Sequence, residues 1–345
     1  MTSLQLTRIV HHDAPGEFRA AALDPAGKAC RLFIERWNGV GSQARFGSVH
    51  HACIRRFADE IGGAFLELES GEEAIIRLRD RGGFTEGAAL RVEIVSEARS
   101  GKLARAQRTE KTNETQSGLA LWQSQLPGDA ALDEGEDRET VEAAFDEALA
   151  PSVTLQGGGQ LHIDRTRALT AFDVDTSGRL SKGSAGARAL AVNRDAASEL
   201  ARQVALRGLG GNLVLDCVGP LNKSAGDQIQ ARLRSALEQA GVEGAKVLRP
   251  SAIGLLEASV PWRSCPIEDV VETNPGETDL LSLFRDVQRE AAANPTKLYR
   301  VELSKSTWRA YLHRRSDADE ALRRHLSGRV EIIESDTNEE GVQAR

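Results

Sequence analysis

The 345-residue chain has little cysteine, only 4% aromatic residues and no long apolar run. Its four cysteines, at positions 30, 53, 217 and 265, lie far apart, and no two form a CxxC pair. We therefore expect reduced thiols rather than a disulfide framework. No apolar stretch approaches the roughly 20 residues of a membrane helix, and the first residues lack the apolar segment of a signal peptide. These features predict a cytoplasmic protein without membrane contact.

Positive charge is not in excess either. The chain has 44 Lys and Arg against 51 Asp and Glu, a formal net charge of −7 at pH 7. If it binds nucleic acid, it must do so through local basic patches rather than through its overall field. Hydrophobic residues make up 40% of the chain, which is enough for ordinary cores, and the length predicts two or three domains.

Two apolar runs each end in an aspartate. The first ends at Asp173, with Asp175 two residues further on, and the second ends at Asp216. A segment with helical periodicity, residues 188–207, joins them, so the pattern predicts a strand, a helix and a second strand. Ligands of open α/β sheets bind at the carboxyl ends of the strands. The three carboxylates are therefore expected near one edge of the sheet.

Asp173, Asp216 and Asp175 together predict a metal site. We expect both strands to be buried, and a buried carboxylate is costly unless it is paired or binds a metal. Oxygen ligands without cysteine suit Mg²⁺ or Mn²⁺ rather than zinc. An aspartate at a strand end is also a common turn former or helix N-cap. On the pattern alone, the two interpretations are about equally well supported.

Four sequence motifs lie in this region. Residues 168–175 (ALTAFDVD) are similar to the A-L-T-x-I-D-[IV]-N of the ribonuclease E/G family, and residues 193–203 (NRDAASELARQ) to its N-x-E-A-A-x-E-[IL]-A-R-Q. Residues 206–216 (LRGLGGNLVLD) resemble L-R-[DN]-L-G-G-x-I-[IV]-[IV]-D, and residues 253–259 (IGLLEAS) resemble F-G-L-[LV]-E-M-[ST]. Four motifs in the same order are far more specific than one short pattern.

The resemblance implies an α/β catalytic core with a deoxyribonuclease-I-like subdomain, in which Asp173 and Asp216 bind the metal. It implies Mg²⁺-dependent hydrolysis of single-stranded RNA by an activated water, with Mn²⁺ as a substitute, leaving 5′-phosphate and 3′-hydroxyl ends. Asp175 stands where the family has Asn, which keeps an oxygen ligand and adds a negative charge. Arg179 and Lys182, in the loop that follows, are candidate RNA-phosphate contacts, although exposed loop charges are usually only solvated.

The N-terminal part, residues 1–108, has short alternating runs separated by glycine-containing turns, which fit a small barrel or sandwich. In the ribonuclease E/G family this position holds an OB-fold RNA-binding domain. By that resemblance Phe65 stacks on RNA bases, which is worth about 1–3 kcal/mol per base, and Lys102 contacts RNA. The alternatives are a core phenylalanine and a solvated loop lysine.

Composition and resemblance also predict the remaining boundaries. Residues 109–138 are polar and acidic and indicate a linker. The catalytic domain follows at 139–270, a small α+β domain at 271–335 and a disordered tail at 336–345. The linker leaves no room for the family's long insertion, which senses 5′-monophosphate ends. We therefore expect a compact relative that does not distinguish 5′-triphosphate from 5′-monophosphate RNA.

The family's zinc-binding motif is incomplete in this chain. Its C-P-x-C pattern is replaced by Cys265-Pro266-Ile267-Glu268, and a structural zinc site generally needs four ligands. We expect no structural zinc, and a homodimer, if one forms, is not linked by zinc. Gly219 also replaces an acidic residue that the family carries after its second catalytic strand.

Two other functions share these sequence features. A relative that has lost catalysis would bind RNA through its OB-fold domain and act as a scaffold; the incomplete zinc motif and Gly219 favour it. The retained Asp173 and Asp216 disfavour it, because unneeded buried carboxylates are a liability. A metal-dependent phosphoesterase acting on DNA or nucleotides would use the same chemistry, since recognition of the RNA 2′-hydroxyl leaves no motif. The sequence best supports an endoribonuclease of RNA processing or decay.

Overall fold

The computed structural model describes residues 5–39, 43–78, 81, 83–99, 101–112, 116–179, 182–337 and 339–344. Its strands are, in chain order, β1 (Arg8–Ala14), β2 (Glu17–Leu23), β3 (Ala29–Arg36), β4 (Val49–Ala58), β5 (Gly63–Leu68), β6 (Glu73–Arg77), β7 (Ala89–Ser96), β8 (Ala104–Arg108), β9 (Ala131–Leu132), β10 (Ser152–Thr154), β11 (Gln160–Arg165), β12 (Leu169–Asp175), β13 (Gly211–Asp216), β14 (Lys246–Val247), β15 (Leu255–Val260), β16 (Tyr299–Leu303), β17 (Val330–Glu334) and β18 (Gly341–Ala344). Its α-helices are α1 (Gly118–Ser124), α2 (Arg138–Leu149), α3 (Ala185–Arg207), α4 (Lys223–Gln239), α5 (Ile267–Glu272), α6 (Pro275–Ala293), α7 (Lys305–His313) and α8 (Arg315–Leu326). Within these ranges no helix combines the length and the apolar character needed to cross a membrane.

Strands β4 to β8 form a closed barrel. Their order is β4-β5-β6-β8-β7, with β6 and β8 parallel and the other neighbours antiparallel. Alternate side chains along each strand, among them Ile54, Leu66, Ile76 and Val92, fill the interior. A five-stranded barrel of this kind is OB-like, so the β-rich, OB-like N-terminal region that the sequence predicted is present.

Strands β1 to β3 lie outside the barrel, although the sequence analysis placed residues 1–108 in one OB-fold domain. They form a separate sheet with the order β3-β2-β1-β9. One face of this sheet packs on α2 and on Leu206 of α3, and the other packs against Leu119 and Trp122 of α1. Both α1 and β9 come from the segment interpreted as a linker, so that segment contributes to a core.

The central sheet has the strand order β10-β11-β12-β13-β15-β14. Strands β12 and β13 are parallel neighbours joined by α3, which confirms the predicted strand–helix–strand unit. Helix α3 begins after Ser184, whose side chain accepts a hydrogen bond from Ala187 N, and ends at Gly208, whose φ of 71° favours glycine. The apolar sides of α3 and α4 cover one face of the sheet. The other face carries the polar side chains of the candidate site.

Helices α6 to α8 and strands β16 to β18 form a small α+β unit. The sheet has the order β17-β16-β18, and its core includes Phe284, Val301 and Leu322. Strand β18 pairs antiparallel with β16, although the sequence predicted a disordered tail from residue 336. The partly buried Val342 packs against the core of this unit, and this contact accounts for the additional strand.

Candidate active site on the open sheet face

Asp173 and Asp216 lie at the ends of two neighbouring parallel strands. Phe172 pairs with Leu215 in the register of β12 and β13, so the two aspartates follow at adjacent positions on strands that lie about 5 Å apart. Because side chains alternate along a strand, Phe172 and Leu215 point toward the helices and are 1% and 0% exposed. Both aspartates therefore point to the opposite, open face.

The exposure of the two aspartates corrects the expectation that their carboxylates are buried. The preceding apolar runs look continuous because Ala171 and Val214 occupy the open face, where they are only half-buried. Because neither carboxylate is buried, neither needs a metal ion to offset a cost of burial. The two carboxylates are instead accessible to a metal ion and to a phosphodiester.

Asp175 lies on the same face, two residues beyond Asp173. Its Oδ1 accepts a hydrogen bond from Ser177 N at 2.8 Å. Hydrogen bonds from the side chain and the backbone of Ser177 hold the pKa of Asp175 below its usual value. One oxygen of Asp175 is thus engaged in the turn after β12. This is the role of a turn former, the alternative to metal binding that the sequence left open.

Two residues that the sequence analysis missed lie on the same face. The half-buried His162 of β11 pairs with Asp173 across the antiparallel ladder, and the exposed Glu257 lies on β15, next to the strand of Asp216. His162 is absent from the four sequence motifs, and its place opposite Asp173 depends on the pairing of β11 with β12, which the sequence did not predict. The apolar neighbours of His162, Leu161 and Ile163, were the available sequence signal. In a strand with one buried face, they imply that His162 points to the other face.

The donor set of the open face suits a hard metal ion that keeps part of its water shell. Among the residues that the structure describes, no group of three or more His, Cys, Asp and Glu side chains could hold a metal ion. Mg²⁺ usually keeps several waters and binds one or two carboxylates together with substrate phosphates. Asp173 and Asp216 offer two carboxylates of this kind, and the open face leaves room for the phosphate.

The buried Asn193 of α3 fixes the loop that follows Asp216. Its Nδ2 donates to the carbonyl of Val218, and its Oδ1 accepts from Val218 N, both at 2.9 Å. Asn193 is the first residue of the helical motif noted in the sequence. Its side chain therefore acts on the position of the second aspartate rather than on a substrate.

The other polar residues of this motif form a structural network. Glu199 accepts hydrogen bonds from Arg202 at 2.5 Å and from Gln203 at 3.0 Å. Burial would raise the pKa of Glu199, but these hydrogen bonds and the charge of Arg202 lower it to about 2. Arg202 and Gln203 also bind Glu147 of α2. The network therefore joins α3 to the helix that packs on the N-terminal sheet.

The two basic residues of the loop after β12 differ in their surroundings. Arg179 donates to Asp195 Oδ2 at 2.5 Å and to the carbonyl of Gly158 at 3.0 Å, and its side chain is 8% exposed. It ties the loop to α3, so we do not retain it as a phosphate contact. Lys182 is exposed, which is compatible with the predicted contact, and its neighbours 180 and 181 lie outside the described residues.

Phe65 points out of the barrel, because its neighbours in β5 fill the interior. The Arg56 guanidinium lies 4.8 Å from the centre of its ring, and the half-buried Ile75 is its partner on β6. OB-folds bind nucleic acid on their second and third strands, here β5 and β6, and through loops that include the one between strands four and five. Lys102 is exposed in that loop. The interpretation of Phe65 as a core residue is therefore not favoured.

The remnant of the zinc motif contains a thiol shielded from water and a carboxylate in an ion pair. Burial raises the pKa of the Cys265 thiol to about 12, which disfavours the thiolate that zinc requires. The Glu268 carboxylate accepts a hydrogen bond from Arg165 Nη1 at 2.5 Å. The Glu268 carboxylate therefore serves the local structure.

Residues 104–260, which run from the last barrel strand to the end of the central sheet, match the model of the Ribonuclease E/G family. The match covers a little less than half of the chain. It is 31% identical over 170 residues to Ribonuclease E of Haemophilus influenzae, and the match covers 46% of this chain and 18% of that protein. It is 34% identical over 119 residues to Ribonuclease E of Escherichia coli (34% and 11% coverage) and 32% identical over 117 residues to its Ribonuclease G (34% and 24%). The chain thus spans less than a quarter of the length of these relatives.

Proposed function

We propose that this protein is a Mg²⁺-dependent endoribonuclease that cleaves single-stranded RNA in RNA processing or decay. The observation that supports this most strongly is the pair Asp173 and Asp216, adjacent and exposed at the ends of parallel strands within the segment that matches the family. The relatives named Ribonuclease E and Ribonuclease G point to the same activity.

Asp173 and Asp216 would hold the metal, with Asp175 beside them through its remaining oxygen. The metal would supply an activated water and would stabilise the charge that develops on the phosphoryl oxygens. The chain itself contributes a rigid placement of the two carboxylates, because Asn193 secures the loop after β13. Hydrolysis by water leaves 5′-phosphate and 3′-hydroxyl ends.

The barrel would hold the RNA strand. Phe65 and Arg56 present an aromatic ring with a stacked cation, and Lys102 adds a positive charge in the neighbouring loop. Aromatic faces and basic side chains together bind single strands with little dependence on sequence. Lys182 would be a further phosphate contact near the aspartates.

Metal dependence and product ends test this proposal. With Mg²⁺, the protein should cut a 5′-labelled, A/U-rich single-stranded RNA internally, and excess EDTA should abolish the cuts. The new downstream fragments should carry 5′-phosphates, detected as substrates of a 5′-phosphate-dependent exonuclease. Cleavage that persists in EDTA, or products with 5′-hydroxyl ends, would contradict a metal-activated water as the nucleophile.

Replacing Phe65 with alanine should weaken RNA binding. Loss of one stacked base costs about 1–3 kcal/mol, so the Kd for a short single-stranded RNA should rise about 5- to 150-fold. Fluorescence anisotropy would measure it. Phe84→Ala is the matched control, because Phe84 is also a half-buried barrel phenylalanine stacked on an arginine, but it lies outside β5 and β6. Equal losses in the two variants would remove the specific role of Phe65.

A further inference from the structure

A groove of about 530 Å³ opens one residue beyond Asp216. Its lining comes from the loop that starts at Cys217, from the beginning of α4 at Lys223, and from the connection between β14 and β15 that ends at Gly254. Cys217 N donates to the carbonyl of Gly254 at 3.2 Å, which holds the two loops together. The groove therefore begins one residue after Asp216, at the end of β13.

Ile253 is the unusual residue of this groove. It is 79% exposed, the largest exposed fraction among the exposed large hydrophobic side chains of the described residues. Ligand sites are typically concave surfaces that combine apolar side chains with a few polar groups. The half-buried Leu221 is a second apolar residue of the same lining.

The charged side chains of the groove favour an anionic ligand. Arg249 pairs with Asp227, with 2.7 Å between Nε and Oδ1, so these two residues add no net charge. Lys223, exposed at the start of α4, leaves the lining with one net positive charge. The groove thus offers an apolar contact and a cation at the end of the strand that carries Asp216.

We propose that this groove is a nucleotide subsite: a base next to the scissile phosphodiester packs on Ile253, and a phosphate of the same strand lies against Lys223. The inference rests on the proposed function, because it takes RNA as the ligand. A nucleotide combines an apolar base face with an anionic phosphate, and the groove supplies a partner for each.

Steady-state kinetics on a short RNA with one defined cut would test the subsite. Ile253→Ser should raise KM about five- to tenfold, as expected when a few tens of Å² of apolar contact are lost, and should change kcat less than about twofold. Leu248→Ser is the matched control, since Leu248 is 57% exposed on the same connection but does not line the groove. It should behave as the wild type. Lys223→Gln should also raise KM and should weaken its dependence on salt.

Substrates with one abasic nucleotide on either side of the cut would identify the base. With the wild type, one of the two abasic substrates should have a KM about five- to tenfold higher than the intact RNA. With Ile253→Ser, the abasic and the intact RNA should have similar KM values. An Ile253→Ser enzyme with the wild-type KM, or an abasic effect that persists in this variant, would overturn the subsite. The thermal midpoints of all variants should match, because both substituted apolar residues are exposed.

The subsite and the proposed function can fail separately. If the wild type cuts none of these RNAs, the proposed function fails, and anisotropy with the uncut RNA then tests the groove. If the Kd for RNA rises in Ile253→Ser and not in Leu248→Ser, the groove is still an RNA contact. Equal Kd values for the three proteins would exclude it.

Discussion

Replacing Asp173 or Asp216 with asparagine is expected to slow RNA cleavage by about a thousandfold or more. The amide keeps the size of the side chain and one oxygen but removes the negative charge that holds a divalent cation. Both side chains are exposed, so the substitutions should not disturb folding, and RNA binding by the barrel should be retained. Single-turnover cleavage rates at saturating protein would measure the effect.

Asp164→Asn provides the matched control for this loss. Asp164 is also an exposed aspartate on the open face, but it lies on β11 opposite Ala171, away from the ends of β12 and β13 that carry the two catalytic candidates. The same change of charge there should alter the rate less than about threefold. A rate within tenfold of the wild type in either Asp173→Asn or Asp216→Asn would contradict the proposed metal site. An equal loss in Asp164→Asn would assign the effect to the overall charge of the face.

The second large effect concerns the stability of the fold. Glu17, 2% exposed, lies close to three arginines, at 2.6 Å from Arg19, 2.9 Å from Arg36 and 2.5 Å from Arg285. The cluster joins β2 and β3 to α6. Glu17→Gln leaves three largely buried guanidinium groups without their common carboxylate, which should lower the free energy of unfolding by about 3–5 kcal/mol. Urea denaturation would measure it.

The control for Glu17→Gln is Asp286→Asn, which removes an exposed carboxylate paired with Arg289 on the same helix α6. Exposed pairs contribute about 0–1 kcal/mol, so this variant should be nearly as stable as the wild type. Similar losses in the two variants would mean that the Glu17 cluster has no special role in joining the N-terminal sheet to α6.

The pH dependence of the Glu17 effect has a definite sign. Burial alone would raise the pKa of Glu17, but the three arginines outweigh it and hold the pKa below its ordinary value of 4.5. The unfolded chain therefore takes up the proton first as the pH falls. The stabilisation is fully present above about pH 4.5 and is lost as the pH falls through the folded-state pKa. The difference in the free energy of unfolding between the wild type and Glu17→Gln should therefore become smaller as the pH falls below about 4.5.

The catalytic strands could be predicted from sequence because their signals are local. Each apolar run ends in an aspartate, and the helix between them carries its own cap and period, so the strand–helix–strand unit follows. The exposure of Asp173 and Asp216 could not be predicted in the same way. Ala171 and Val214 on the open face make both runs look apolar throughout, which conceals the alternation of a strand with one solvent-facing side.

Pairings between distant segments were the features that sequence could not supply. Strand β9 joins β1 across more than a hundred residues and so extends the sheet of β1 to β3, which is separate from the barrel. The position of His162 opposite Asp173 likewise depends on the register between β11 and β12. Neither register has a local pattern that distinguishes it from its alternatives.

The proposed function requires that this protein cuts RNA and does not only bind it. The most direct test measures binding and cleavage of one 5′-labelled, A/U-rich single-stranded RNA in the same samples, with Mg²⁺ and with Mn²⁺. Wild type, Asp173→Asn and Asp216→Asn should bind with similar Kd values, and only the wild type should cut internally. If all three bind the RNA and none cuts it with either metal, the protein is an RNA-binding scaffold and the endoribonuclease proposal is wrong.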